Sequence, residues 1–319
     1  MEFGVAIPNF GARVEPEQLY EWATVCDDTG FDYAMVTDHI AQTADVRRVY
    51  NEEFLDPFTT LAYVAAVTKR IRVGTTVTVV PLRHPLETAR AVATIDRLAG
   101  GRMVLGVGVG GAPQEYAALG VPYAQRGAIA DEYLDVMTEM WSARGELSYH
   151  GRFVAFDNVL ASPAPSKCGG PEIWVGGSSR AALRRAARYA AWHPTFPNLD
   201  ELISVKIPQL RAAAEKLNRP MPAIRPRLHL EIHDHAINGQ DRPVGVGSSR
   251  QISDDLHRLH QAGIAGVIFD PVRHLAISRN APASRTYDQN RLELMQIRRA
   301  ATEIVDLSAG TIRGSYSGS

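Results

Sequence analysis

The sequence predicts an α/β fold of the (β/α)8 TIM-barrel class, and three observations point there. Short apolar, β-branched-rich runs alternate with helix-like segments from Phe3 to Asp270, and eight such repeats over about 250 residues fit a barrel. Within them, Ile71–Val80 (IRVGTTVTVV) is apolar on both faces, as in a parallel strand buried under helices. Third, Pro85–Ala99 joins that run to Arg102–Gly110 and stops at Gly100-Gly101, a helix C-terminus. Strand, helix and strand then form a right-handed βαβ unit. A doubly wound sheet accepts most of the same pattern, but eight repeats favour the barrel.

The elements follow in order. Phe3–Ile7 is strand one, and Glu15-Pro16-Glu17 opens a helix with acids in its first turn,. Leu19, Trp22, Ala23 and Cys26 recur at helical spacing, which makes Cys26 a core residue,. Tyr33–Thr37 is strand two, with Asp38-His39 at its carboxyl end. Ile40–Leu55 is polar, without a period and long for a connection, as binding loops are,. Asp56-Pro57 caps the helix Pro57–Thr68, and the central unit supplies strands three and four. Ala112–Gln125 reads as a loop before an amphipathic helix, Arg126–Trp141.

Residues 145–170 break the rhythm as an insertion before strand five, with a small hairpin across Glu146–Phe156,. Ile173–Gly176 is strand five, and Gly177-Ser178-Ser179 caps the helix Arg180–Ala190. Ala191–Pro194 is a weak sixth strand. Pro208 should kink or split the helix Leu199–Leu217,. Arg227–His233 is strand seven, Gln251–Ala262 a helix and Gly266–Asp270 strand eight. Residues 271–287 read as loop, Asp288–Val305 as a last helix, and Ser308–Ser319 as a fraying tail,. The expected organisation is one barrel domain over residues 1–319.

Composition narrows the function. The 319 residues carry 34 basic and 35 acidic side chains, a net charge of −1, so no general attraction to nucleic acid or an anionic membrane is expected,. No run approaches the roughly 20 apolar residues of a membrane span. Strand one starts at the second or third residue, so no signal peptide is expected. Two cysteines, Cys26 and Cys168, make neither a disulfide framework nor a zinc spacing,. The expectation is a cytoplasmic protein.

A barrel binds ligands at the carboxyl ends of its strands. That places Asn9, Asp38-His39, Thr76–Thr78, Gly108–Gly111, Gly176–Ser179, Trp192-His193 and His233–His235 on one rim. Gly106-x-Gly108-x-x-Gly111 matches the dinucleotide fingerprint literally, but Pro113 intervenes and Asp131 and Glu132 fall inside a helix, so a NAD site is not expected. Glycines where a backbone approaches a flat ligand fit better, with Gly108 and Gly110 the nearest. Gly176-Gly177-Ser178 ends a strand at a helix N-terminus, a geometry that suits phosphate as well as an ordinary serine cap. Asp38-His39 is an ionisable pair whose histidine could exchange a proton near neutral pH. His229, Glu231, His233 and His235 share one face of a regular strand. Metal ligands must converge from several directions, so no metal is expected.

Taken together, FGVAIPN at 3–9, VTDH at 36–39, RVGTTVTVVPLRHPLETARAVATIDRLAGGRMVLGVGVGG at 72–111, EYAALGVPYAQRG at 115–127, SYHGRFVAFDNV at 148–159 and IWVGGSSRAALRRAARYA at 173–190 resemble the bacterial luciferase-like oxidoreductase family. The chain looks most like the branch that uses the deazaflavin coenzyme F420. The resemblance implies a barrel with an insertion, a homodimer, and a flavin-type ring over the strand ends. It implies a cis peptide at Thr76–Val77 against that ring, the cofactor phosphate at Gly176, Gly177 and Ser178, and Asp38 at the ring edge. His39 corresponds to the proton-transfer residue of the family's sugar-phosphate dehydrogenases. Three departures point away from a sugar-phosphate substrate. Gly111 replaces a carboxylate past strand four, with Glu115 the nearest acid downstream. Tyr189-Ala190-Ala191-Trp192 lacks the usual Asp-Gly, and Ile40–Leu55 lacks a tryptophan. The expected activity is F420-dependent hydride transfer on a small organic substrate. The alternatives are an FMN-dependent monooxygenase fed by a separate reductase, and a flavin-binding protein without turnover.

Overall fold

The computed structural model describes residues 1–11, 14–50, 53–239, 242–272 and 287–314. Its centre is a parallel sheet of β1 (Glu2–Ala6), β2 (Tyr33–Val36), β3 (Arg72–Thr75), β4 (Met103–Gly108), β5 (Glu172–Gly176), β6 (Ala191–His193), β7 (Arg227–His229) and β8 (Gly266–Asp270). The spatial order is β6–β5–β4–β3–β2–β1–β8–β7. Beyond β6 the pair Ala223–Ile224 adds to the same sheet. Residues 223–229 therefore hydrogen-bond on both sides: the Arg225 and Arg227 amides donate to the carbonyls of Trp192 and Pro194, both at 2.9 Å, and β7 pairs with β8. The sheet is curled and its helices pack outside, a TIM-barrel-like α/β architecture.

Alternation along the strands explains why the runs are apolar on both faces. In β2, Tyr33 and Met35 point inward while Ala34 and Val36 face the helices; in β8, Ile268 points inward and Val267 and Phe269 outward. Successive strand side chains must do this. The interior holds Ala6, Tyr33, Met35, Val104, Trp174, Ala191 and Ile268. Tyr33 and Trp174 meet edge to face at 4.8 Å, and Arg72 and Arg225 each cover one of these rings at 4.9 Å. This plug fills the amino-terminal half of the barrel, so open space lies at the carboxyl ends.

Outside the sheet are α1 (Pro16–Thr29), α2 (Pro57–Val67), α3 (Pro85–Leu98), α4 (Pro113–Ala118), α5 (Arg126–Ser142), α6 (Arg180–Ala186), α7 (Ile207–Lys216), α8 (Ser249–Gln261) and α9 (Tyr287–Arg299). Cys26 is a core residue whose thiol pKa burial pushes up. Trp22 beside it is buried, and its indole N–H donates to Asn290 at 2.6 Å.

Several local expectations change. The stretch 112–125, read as a loop, contains α4, because Pro113 suits the first helical position and Glu115 its first turn,. The helix from Arg180 stops at Ala186, four residues early. The helix carrying Pro208 is interrupted by a π turn at Leu202–Lys206, which absorbs the missing N–H,. The expected strand Arg227–His233 is two: Arg227–His229 pairs with β8 and Glu231–His233 with Val246–Ser248. Its alternation survives, with Leu228, Leu230 and Ile232 buried. The excursion hairpin pairs Glu146–His150 with Ala155–Leu160. Thr311–Ile312 pairs back onto Val305–Asp306, so residues 308–314 are tied down. Residues 315–319 of the expected tail, and 273–286 of the expected loop, lie outside the described residues.

Close approach of β3 and β4 depends on Gly106, where a Cβ would stand 1.9 Å from the Thr75 carbonyl oxygen. Gly106→Ala should cost about 1–3 kcal/mol, read as a lowered urea midpoint with an unchanged slope. An unchanged midpoint would mean the strands separate freely there.

Candidate active site

Asn9, at the end of β1, positions the opening. Its carboxamide oxygen accepts from the Thr37 amide and hydroxyl at 3.0 and 3.1 Å, and its amide donates to the carbonyls of Thr37 and Leu55 at 3.0 and 2.9 Å. One buried side chain thus ties β1, the end of β2 and the return of the 40–55 excursion together. Phe10–Gly11 also pairs antiparallel with Glu53–Phe54.

Asp38 turns inward and is fully used. It accepts from the Val79 amide at 3.0 Å and from Arg83 Nε and Nη2 at 3.1 and 2.7 Å, and Arg83 also reaches Asp56 at 3.1 Å. Burial works against the Arg83 charge, but the two carboxylates outweigh it and hold its pKa up. Asp38 therefore anchors the chain that leaves β3.

His39 turns the other way. Its Nδ1 lies 2.9 Å from Glu115 Oε2, the imidazole 19% exposed and the carboxylate 2%. Glu115 Oε1 accepts from the Ile40 and Ala41 amides at 2.7 and 3.2 Å. Burial alone would raise the Glu115 pKa. The His39 hydrogen bond and charge and the two amides outweigh burial and keep it below the ordinary carboxylate range,. An ionised Glu115 accepts a hydrogen bond from the His39 Nδ1–H, which leaves Nε2 as the atom that can accept a proton,. Asp45 returns the tie by accepting from the Gln114 amide at 2.8 Å. Around the imidazole stand Tyr50 and Phe54, with ring centroids 5.3 and 5.6 Å away, and Phe10 packs on both.

The floor of the opening is Thr76–Val77, whose peptide bond is cis. Thr76 is clamped three times. Its amide donates to the Val36 carbonyl at 2.7 Å, its carbonyl accepts from Arg227 at 2.9 Å, and its hydroxyl lies 2.8 Å from His193 Nε2. Arg227 is buried and paired with Asp270, and the Tyr50 side chain hydrogen-bonds with Arg227. His193 places Nδ1 on the Arg225 carbonyl, so Nε2 accepts the Thr76 proton. Burial pulls the His193 pKa down to about 4. Val77 is half-buried between buried neighbours. It packs where glycines leave room: a Cβ at Gly108 would come 2.7 Å from it, and one at Gly176 3.2 Å. Gly110, with φ of 61°, leaves room instead for Val79 and Tyr116. A flat ring fits such a floor because Gly108 and Gly176 carry no side chain around Val77.

At the side of the floor, Gly177 turns with φ of 87°, and Ser179 caps α6 by accepting from the Ala182 amide at 3.1 Å. Gly177 and Ser178 are exposed. Arg126 is a residue the sequence reading passed over. Its Nη1 donates to the Tyr123 carbonyl at 2.9 Å and its guanidinium lies over the Tyr123 ring at 3.9 Å, while its buried Nε has no hydrogen-bond partner among the described residues. It opens α5, whose first turn carries no acid and no side-chain cap. Arg185, near the end of α6, donates to the Gly127 carbonyl at 2.9 Å and ties that helix to the start of α5. The N-terminus of α6 at the Gly177-Ser178 turn can hold an anionic group.

The strand-seven face does not converge. Glu231 lies 2.8 Å from His233, and His229 stacks on Phe196 at 3.7 Å. Among the described residues no group of three or more His, Cys, Asp or Glu is placed to hold a metal, and no helix is long and apolar enough to cross a membrane.

Two pH effects follow. The folded state lowers the His193 pKa, so its stabilisation is full above the unfolded value near 6.5 and is lost as pH falls toward 4. The loss should reach about 3 kcal/mol, and His193→Gln should flatten that limb of the stability profile. Glu115 is also depressed, so its ties are full above the unfolded carboxylate value and vanish as pH drops through the folded one. Glu115→Gln at neutral pH should speed amide exchange at Ile40 and Ala41 about tenfold or more. Unchanged exchange would show that the excursion is held elsewhere.

The chain was compared with known proteins. Residues 1–236 match the model of the luciferase-like monooxygenase family. The FMNH(2)-dependent dimethylsulfone monooxygenase of Pseudomonas putida is 30% identical over 229 residues, covering 67% of this chain and 61% of that one. Two solved structures share the fold. Monooxygenase RslO1 from Streptomyces bottropensis superposes with a TM-score of 0.76 at 20% identity, covering 95% of this chain and 98% of the other. The coenzyme F420 dependent tetrahydromethanopterin reductase from Methanopyrus kandleri gives 0.75 at 16% identity, covering 97% and 99%. With most of its length matched by the family model and its fold shared with such enzymes, the chain belongs to the luciferase-like monooxygenase family of oxidoreductases.

Proposed function

We propose that this protein is an F420-dependent oxidoreductase, working on a complete (β/α)8 barrel interrupted before strand five. It would move a hydride between the deazaflavin and a small organic substrate above Val77. The observation that carries this reading is the His39–Glu115 pair, a buried carboxylate holding an imidazole at the mouth of the strand ends. When bound, the deazaflavin supplies or accepts the hydride at ring carbon five. The protein does the rest. Val77 and the bare backbone at Gly108 and Gly176 form a flat support, and Thr76 is fixed by three hydrogen bonds. The exposed Gly177-Ser178 turn at the start of α6 suits the cofactor's phosphate,. His39 Nε2 gives or takes the proton that accompanies the hydride, and Glu115 keeps that nitrogen pointed outward. The wall of Phe10, Tyr50 and Phe54 excludes water from the reacting atoms.

A second reading is supported by the dimethylsulfone monooxygenase likeness: an FMN-dependent monooxygenase on the same barrel, fed by a reductase. The same floor would support either ring, and His39 would serve as proton donor in both.

Matched fluorescence titrations with coenzyme F420 and FMN test the choice. F420 should bind at least tenfold tighter, Gly177→Asp should abolish binding, and His39→Ala should keep affinity while lowering turnover about 10²- to 10⁴-fold. Preference for FMN with oxygen uptake would favour the second reading. A hydrogen isotope on ring carbon five that never reaches product would rule out hydride transfer.

A further inference from the structure

The surroundings of His39 also bear on what the enzyme acts upon. Among the described residues, the buried and half-buried charged groups packed at this rim have partners. Arg83 is held by Asp38 and Asp56, Arg227 by Asp270 and the Thr76 carbonyl, and Glu115 by His39 and two amides. A phosphate or carboxylate seated against His39 would find each of these cations committed. An anion left without a counter-charge in such a place is strongly disfavoured. The remaining surface is aromatic. Tyr50 and Phe54 are half-buried, at right angles to each other with centroids 5.4 Å apart, and both rings flank the imidazole. Phe10 supports them from behind at 4.9 and 5.3 Å. Half-exposed rings at right angles accept another flat group by edge-to-face and stacked contact. The Tyr50 side chain also meets Arg227, which fixes its ring.

We infer that the substrate is an uncharged, largely apolar compound with a flat unsaturated or aromatic portion, and that Tyr50 and Phe54 select it. The inference rests on the proposed function, since it takes His39 to face the reacting atoms. Tyr50 acts through its ring, as the wall against which the flat portion lies; its hydroxyl serves to hold that ring. Because the excursion hangs on Glu115 and Asn9, the wall keeps a fixed distance from His39.

Binding can be measured apart from turnover. The neutral enone 4-phenyl-3-buten-2-one and glucose 6-phosphate are titrated against the full chain by saturation-transfer NMR, with and without the cofactor that binds. The enone should bind at least tenfold tighter than the sugar phosphate. Tyr50→Ala should weaken the enone tenfold or more, and Tyr50→Phe should stay within threefold of the parent. Phe54→Leu, which keeps the site apolar and folded, should weaken it several-fold. Equal or tighter binding of the sugar phosphate would overturn the inference, as would unchanged enone affinity in Tyr50→Ala and Phe54→Leu. If neither cofactor binds, the proposed function fails, while the enone titration of the cofactor-free protein still decides the character of the wall.

Discussion

Three hydrogen bonds to one carboxylate hold the rim around His39 together. Glu115 is separated from His39 by 76 residues in sequence, yet it contacts His39, Ile40 and Ala41 at once. A buried carboxylate is costly unless its lone pairs are met, and here an imidazole and two amides meet them. The consequence is mutual. The excursion gains a fixed starting direction, α4 gains a reason to dock, and the imidazole gains a defined tautomer. Asp45 repeats the tie in reverse from the excursion to α4 at the surface, so the two segments cannot separate without unpairing two carboxylates and three amides together.

The second fixed point is Thr76. It is held from three sides by β2, by Arg227 and by His193, all of them buried. Asp270 neutralises Arg227, and His193 is kept neutral by its burial. One charged pair and one neutral ring thus replace the water that a bent strand would otherwise need. Polar groups in that position are stable only as a complete set. This is why β7 and β8 on one side of the barrel govern the shape of β3 on the other.

Sequence carried the fold more fully than the site. The alternation in β2 and β8 and the glycine stop after α3 were legible because burial and backbone geometry act locally. Asp38 and His39 could be named from the residues as an ionisable pair, and the Thr76–Val77 bond through the family resemblance. The roles of Asp38 and Glu115 could not be apportioned. Whether a carboxylate at a strand end faces a ligand or an arginine depends on Arg83, 45 residues away, and no local pattern encodes that pairing. Glu115 did leave a trace, a proline two residues before an acid, which marks a helix start. Arg126 left less, since a half-buried arginine resembles a solvated one until its neighbours are known.

The same physics explains why one family can support different chemistry. Val77 and the glycines around it offer a surface without charged side chains, and such a surface accepts any flat ring of suitable size. Discrimination between rings, and between substrates, must come from what borders the floor. Here one border is the exposed Gly177-Ser178 turn, and the other is aromatic, at Phe10, Tyr50 and Phe54. In the proposed function the first takes an anionic tail and the second the reacting partner. His39 stands against the aromatic border. In the proposed reaction a proton would pass between the imidazole and the bound molecule, and Glu115 would compensate the charge that appears on the ring.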